Sequence, residues 1–138
     1  MNGNLIMKKF LLVAGVAAIA TVGASAAMAG ECSVAELKGH YTYWLQGYDA
    51  EGKPYAEVGA EKFDGAGNVT TETGVAGAAE PTTDKGTYTI EGDCTGVVTY
   101  ESGAKDKIFL APSGDSFVFS SAIPGLIQSG EDTRVDME

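Results

Sequence analysis

The chain is short of most residues that carry catalysis. It has one histidine, His40, and one tryptophan, Trp44. It also has one arginine, Arg134, and two cysteines, Cys32 and Cys94. A lone histidine excludes a two-histidine metal site. A His–Cys nucleophile pair fails as well if both sulfurs are bridged. No G-x-S-x-G elbow surrounds Ser116, Ser120 or Ser121, so the serine-hydrolase geometry has no local support. Basic residues are scarce too: nine Lys and Arg against nineteen Asp and Glu, a net charge of −10. A nucleic acid or an anionic membrane surface would repel such a chain, so neither is an expected partner.

Long apolar runs are confined to the start. Lys8 and Lys9 precede an uncharged apolar stretch, Phe10 to Ala24, and Ala27-Met28-Ala29 fits the A-x-A cleavage pattern. This is the layout of a secretory signal peptide, and Met7 makes a more typical start for it than Met1. The apolar stretch is short of the ~20 residues that span a bilayer, which leaves a retained anchor as the weaker alternative. With no twin-Arg pair or lipobox, the expectation is general export, cleavage after residue 29, and a destination in the periplasm or the medium. Losing residues 1–29, which hold two lysines and no acid, would leave residues 30–138 with a charge of −12, enough for one domain. No membrane insertion is expected after cleavage.

In an oxidising compartment an isolated cysteine pair most often forms a disulfide, and metal or redox pairs usually sit closer in sequence. Cys32 and Cys94 are therefore expected to staple the mature N-terminus to a mid-chain turn. On the chain-entropy model that is worth about 4 kcal/mol.

Helical periodicity is also missing, apart from a single turn around Val34, Ala35 and Leu37. What remains is a series of short β-prone runs: 40–48, 55–63, 69–76, 86–90, 96–101, 107–111, 116–121 and 126–135. Gly, Asn, Asp and Pro stand between them, where positive φ or a missing N–H suits a turn. All four prolines fall outside the predicted strands, and 77–85 reads as a mobile polar rim. Eight strands on short connections predict an all-β antiparallel meander closed into a barrel, with a β-sandwich as the alternative.

No motif predicts a catalytic residue, a metal ligand or a cofactor. The acidic stretches Asp49-x-Glu51-Gly52 and Asp64-Gly65-x-Gly67-Asn68 lack the full ligand series of a calcium loop and read as hairpin turns. Asn68-Val69-Thr70 matches a glycosylation sequon, a three-residue coincidence to which no weight is given. Most carboxylates, including those in Glu57-Val58 and Glu61-Lys62-Phe63, read as solvated strand faces.

The aromatics say more. Tyr41, Tyr43 and Leu45 share one face of the first strand, with His40, Thr42, Trp44 and Gln46 on the other. Phe117 and Phe119 share a face further on. One reading is plain core packing; the other is a core that also holds a small-ligand pocket. On the second reading Tyr41, Tyr43, Trp44, Tyr88, Tyr100, Phe117 and Phe119 line the site. Arg134, in the last strand, is placed to stack on an aromatic of the first strand and to donate to backbone carbonyls at one barrel end. Binding an anionic ligand group is the alternative role for it.

The succession Leu37-Lys38-Gly39-x-Tyr41, Phe63-Asp64-Gly65-x-Gly67-Asn68-Val69, and Gly86-Thr87-Tyr88-Thr89 with Asp93-Cys94-Thr95-Gly96 resembles a group of small uncharacterised secreted bacterial proteins. That group brings no established activity. Gly39-x-Tyr41 and the closing Arg134 also resemble, more distantly, the Gly-x-Trp and final Arg of lipocalin-like (calycin) barrels. Allene oxide cyclase and dirigent barrels are a further analogue. These likenesses imply a barrel and leave function open. Three expectations follow: a module that binds a small apolar or aromatic ligand, an envelope structural or interaction protein without a ligand, or a cyclase or isomerase with a tyrosine or Glu57 as polariser.

Overall fold

Alternating apolar and polar residues, punctuated by turn-forming Asp and Gly, produce eight strands in the computed structural model, which describes residues 31–135. They are β1 (Lys38–Tyr48), β2 (Pro54–Asp64), β3 (Asn68–Val75), β4 (Thr82–Ile90), β5 (Thr95–Tyr100), β6 (Lys105–Leu110), β7 (Ser116–Ser121) and β8 (Ile127–Val135). Each strand pairs antiparallel with the next, and β8 returns to β1, so the sheet closes into a barrel. Closure removes both sheet edges and with them the unpaired N–H and C=O groups of an open meander. The expected signal peptide, residues 1–29, and its cleavage point lie outside the described residues.

Two sequence expectations are corrected. Pro54 opens β2 instead of preceding it, a place a strand tolerates because its first residue need not donate to the ladder. The polar rim is shorter than 77–85, because Thr82 to Lys85 already pair with β3. The run Thr-Thr-Asp-Lys carries no apolar pattern to announce that strand. The helical turn near Val34 is a hydrogen-bonded turn, Glu36 N–H to Ser33 C=O, fastened by the Glu36 carboxylate on the Ser33 amide (2.6 Å) and hydroxyl (2.7 Å).

The turns explain the acidic stretches between strands. Asp49 Oδ1 accepts the amides of Glu51 and Lys53, and Asp64 Oδ1 accepts those of Ala66 and Asn68. These carboxylates serve their own backbones, as Asx turns do.

One end of the barrel is filled. Phe63 is the hub, meeting Tyr41, Tyr88 and Phe117 edge-on at centroid distances of 5.3, 5.2 and 5.7 Å. Each edge-to-face pair contributes about 0.5–1.5 kcal/mol beyond its buried area. Leu37 caps this base from below and is fully buried, held by the Tyr88 hydroxyl donating to its carbonyl at 2.7 Å. The Cys32–Cys94 disulfide, with Cα atoms 4.9 Å apart, ties the segment before β1 to the β4–β5 turn. Cys94 takes a left-handed φ of 67°, which closes that turn.

Arg134 seals the same end. Its guanidinium carbon lies 5.4 Å from the Tyr41 ring centre, and Nη2 donates to the carbonyls of Glu36 (2.8 Å) and Gly114 (3.0 Å) and to the Tyr41 hydroxyl (2.9 Å). The Tyr41 hydroxyl in turn donates to Gly114 C=O.

Candidate functional site

The opposite end of the barrel is hollow. A cavity of about 500 Å³ runs from the aromatic base to the end of the barrel where the β5–β6 and β7–β8 connections lie, with Ser102, Ala104, Ile123 and Leu126 on its rim. Its volume lies within the range of small-molecule sites. An eight-stranded barrel interior is just wide enough to be filled by side chains or to hold one small ligand. Here the lower half takes the first option and the upper half leaves the space.

Two glycines help to make that space. Gly59 faces Tyr43 across the β1–β2 ladder, and a Cβ there would stand 2.5 Å from the Tyr43 ring. Gly130 faces Phe119 across β7–β8, where a Cβ would stand 2.6 Å from the ring. Each ring lies down over the bare backbone of its partner strand instead of projecting into the lumen.

Tyr43, Tyr100, Phe117 and Phe119 line the cavity, together with Leu45, Val98 and Ile108. Tyr41 and Tyr88 belong to the filled base below it, and the cavity wall does not include them. Trp44 requires a correction. It stands on the outside of the barrel, 45% exposed. The two-residue period that sends Tyr43 and Leu45 inward sends Trp44 outward. With Val58, Val118 and Phe109 it forms a row of exposed apolar side chains across the outer wall, Val58–Trp44–Glu131–Val118–Phe109 in register.

The larger surprise is acidic. Glu57, Glu61, Asp106 and Asp132 all point into the lumen, so the expectation of solvated carboxylate faces fails for these four. Glu61 is 5% exposed and Asp132 only 2%. The signal was parity. Glu61 and Glu57 are two and six residues from Phe63, and Asp106 is two from Ile108, so each pair shares a face. In the ladders Asp132 stands between Tyr43 and Phe117, and Glu61 between Tyr41 and Thr71.

Phenols serve two of these carboxylates. Glu57 accepts from Tyr43 (3.2 Å) and Tyr55 (2.5 Å), and Glu61 accepts from Tyr100, which reaches it across the lumen. The Tyr43 oxygen also meets Thr73 Oγ1 at 2.6 Å. Asp132 is different, because its Oδ1 is buried without a hydrogen-bond partner among the described residues. Lys105, exposed at the mouth, is the one basic residue among the described residues that line the cavity.

The electrostatic result follows from burial. Asp132 is driven well above the ordinary carboxylate range by desolvation, reinforced by Glu61 and Asp106. Desolvation also raises Glu61, against the opposing hydrogen bond from Tyr100. Asp106 rises to about 6, mainly by desolvation with a contribution from Glu57. The Tyr43 and Tyr100 hydroxyls are pushed up by burial, so they remain donors. A lumen with apolar rings on its walls and uncompensated acids at its centre can hold an apolar body and meet a hydrogen-bond donor on it.

No family model, no curated protein and no solved structure matches this chain.

Proposed function

We propose that this protein is an exported carrier that holds one small molecule with an apolar or aromatic body in the upper half of its barrel. The observation that carries the reading is the cavity of about 500 Å³ above a fully packed aromatic base. A core optimised for stability alone would fill such a space, since interiors pack like organic crystals and leave few voids larger than a water molecule. Buried carboxylates without a cationic partner lower stability, and groups kept in that state concentrate at functional sites.

Export is part of the same proposal. The disulfide is compatible with an oxidising location, and the leader pattern in residues 1–29 supplies the route. The outer wall carries Lys62, Glu72, Lys85 and Lys107, all exposed, which supports a solvated exterior. Among the described residues no helix is long and apolar enough to cross a membrane.

Two measurements test the carrier reading. Native mass spectrometry of protein purified from its own source should show a co-purifying small molecule. Phenylnaphthylamine, a neutral fluorophore, should brighten saturably on titration, and Tyr43→Ala should weaken that response more than it lowers stability. A bare protein mass together with a flat titration would end the proposal.

The exposed row Val58–Trp44–Val118–Phe109 favours a second reading, in which the outer wall meets another envelope protein. Exposed apolar surface often marks such a contact, and here Glu131, between Trp44 and Val118, would add a charged point to it.

A further inference from the structure

We propose that the barrel lumen selects an organic cation, an amine-bearing molecule whose ammonium sits among Asp132, Glu61 and Asp106 while its apolar or aromatic body lies against Phe117, Phe119 and Tyr43. The inference rests on the lumen being a ligand site, and it names the chemistry of the occupant.

Two independent features of the site lead to it. The first is the charge balance of the wall. Glu57 and Glu61 face inward from β2, Asp84 from β4 near the rim, Asp106 from β6 and Asp132 from β8. Glu131, next to Asp132 in sequence, faces outward and is not part of this wall, though its charge adds to the field at Asp132. Against these acids the described wall offers one lysine, Lys105, exposed at the mouth. An anionic ligand would be repelled, and a neutral one could donate a hydrogen bond but would leave the acid charge uncompensated.

The second feature is the state of Asp132. The residue is 98% removed from solvent, and Oδ1 has no partner among the described residues. A buried acceptor with nothing to accept from is costly. Protein donors are used up nearby: Tyr100 serves Glu61, while Tyr43 and Tyr55 serve Glu57. An incoming ammonium would bring both the missing donor and the missing positive charge. The rings beside it add to the fit, because Phe and Tyr faces attract cations, more strongly when desolvated. Among the described residues no group of three acids, histidines or cysteines has the arrangement to hold a metal ion. That directs the inference to an organic cation.

The test compares three molecules with the same ring and different head groups: phenethylamine, phenethyl alcohol and phenylacetate. Each is titrated against wild-type protein by displacement of phenylnaphthylamine. The expected result is that the amine binds about tenfold or more tightly than the alcohol, since each charge pair contributes on that scale at a partly buried site, and that phenylacetate does not compete. Amine affinity should also rise from about pH 5 to about pH 8, as the raised carboxyls give up protons, while alcohol affinity stays flat. Asp132→Asn should remove the preference for the amine and keep the alcohol and the fluorophore.

Calorimetry of wild-type protein in two buffers of different ionisation heat serves independently of whether that variant folds. Amine binding should release protons and alcohol binding should not. Equal affinities for amine and alcohol, or no proton release, would overturn the cation proposal and leave the carrier reading intact. No binding by any of the three, with no fluorophore response, would overturn both.

Discussion

Tyr100 on β5 donates its hydroxyl to Glu61 on β2, joining opposite walls of the lumen across the space between them. This hydrogen bond opposes the upward push that burial gives the Glu61 carboxyl. Tyr100→Phe should therefore raise the Glu61 titration midpoint further, by about one unit, and cost about 1–3 kcal/mol where Glu61 is ionised. Carboxyl-carbon NMR of glutamate-labelled protein reads the midpoint. An unchanged or lowered midpoint would show that the bond does not hold the ionised form.

The acids predict an unusual pH profile. Their folded values lie above the ordinary value of about 4, so the native state binds more protons than the unfolded chain between the two. For Asp106 that window runs from about 4 to about 6. Burial of Glu61 and Asp132 extends it upward. The stabilisation is fully present below the window and is lost as pH rises through it. Ligand-free protein should thus lose about 2–4 kcal/mol between about pH 5 and about pH 8, and Asp132→Asn should flatten that fall. Urea midpoints across the range measure it, and a stability that rises with pH would refute the placement of these acids.

The two halves of the interior should respond differently to truncation. Phe63→Ala removes the hub of three edge-to-face contacts from a filled base and should cost about 3–5 kcal/mol. Phe119 borders open space, so Phe119→Ala should cost less and change fluorophore binding more. Equal costs with no change in binding would mean that the upper half behaves as solid core.

Disulfide removal tests the base from outside. Cys94→Ser frees the segment that carries Leu37 and should cost about 2–5 kcal/mol. Denaturing, non-reducing thiol labelling of the wild-type protein should find neither cysteine free.

Trp44 offers an orientation check. On the outer wall it should be quenched freely by acrylamide and should ignore lumen ligands, and Trp44→Ser should change stability by no more than about 0.5–1 kcal/mol. A tryptophan shielded from acrylamide would contradict the strand register.

The class of fold and its punctuation are written locally along the chain. Period-two alternation and Asp/Gly turns are local, so the all-β meander could be read residue by residue, and seven of the eight strands begin and end within a few residues of where the pattern puts them. The cysteine pair was legible for a similar reason, since two cysteines allow only one bridge. What the linear pattern could not decide is which face of each strand is the inside, because closure of β8 onto β1 settles that for all strands together. Next to Lys62 and Val58, Glu61 and Glu57 look solvated; next to Phe63 in the folded barrel, they are committed to the lumen. The hollow upper half is tertiary as well. It depends on Tyr43 lying over Gly59 and Phe119 lying over Gly130, pairs sixteen and eleven residues apart that only the ladder register brings together. Burial of unpaired charge has no local signature at all, because desolvation is a property of the assembled wall and not of any one residue in it.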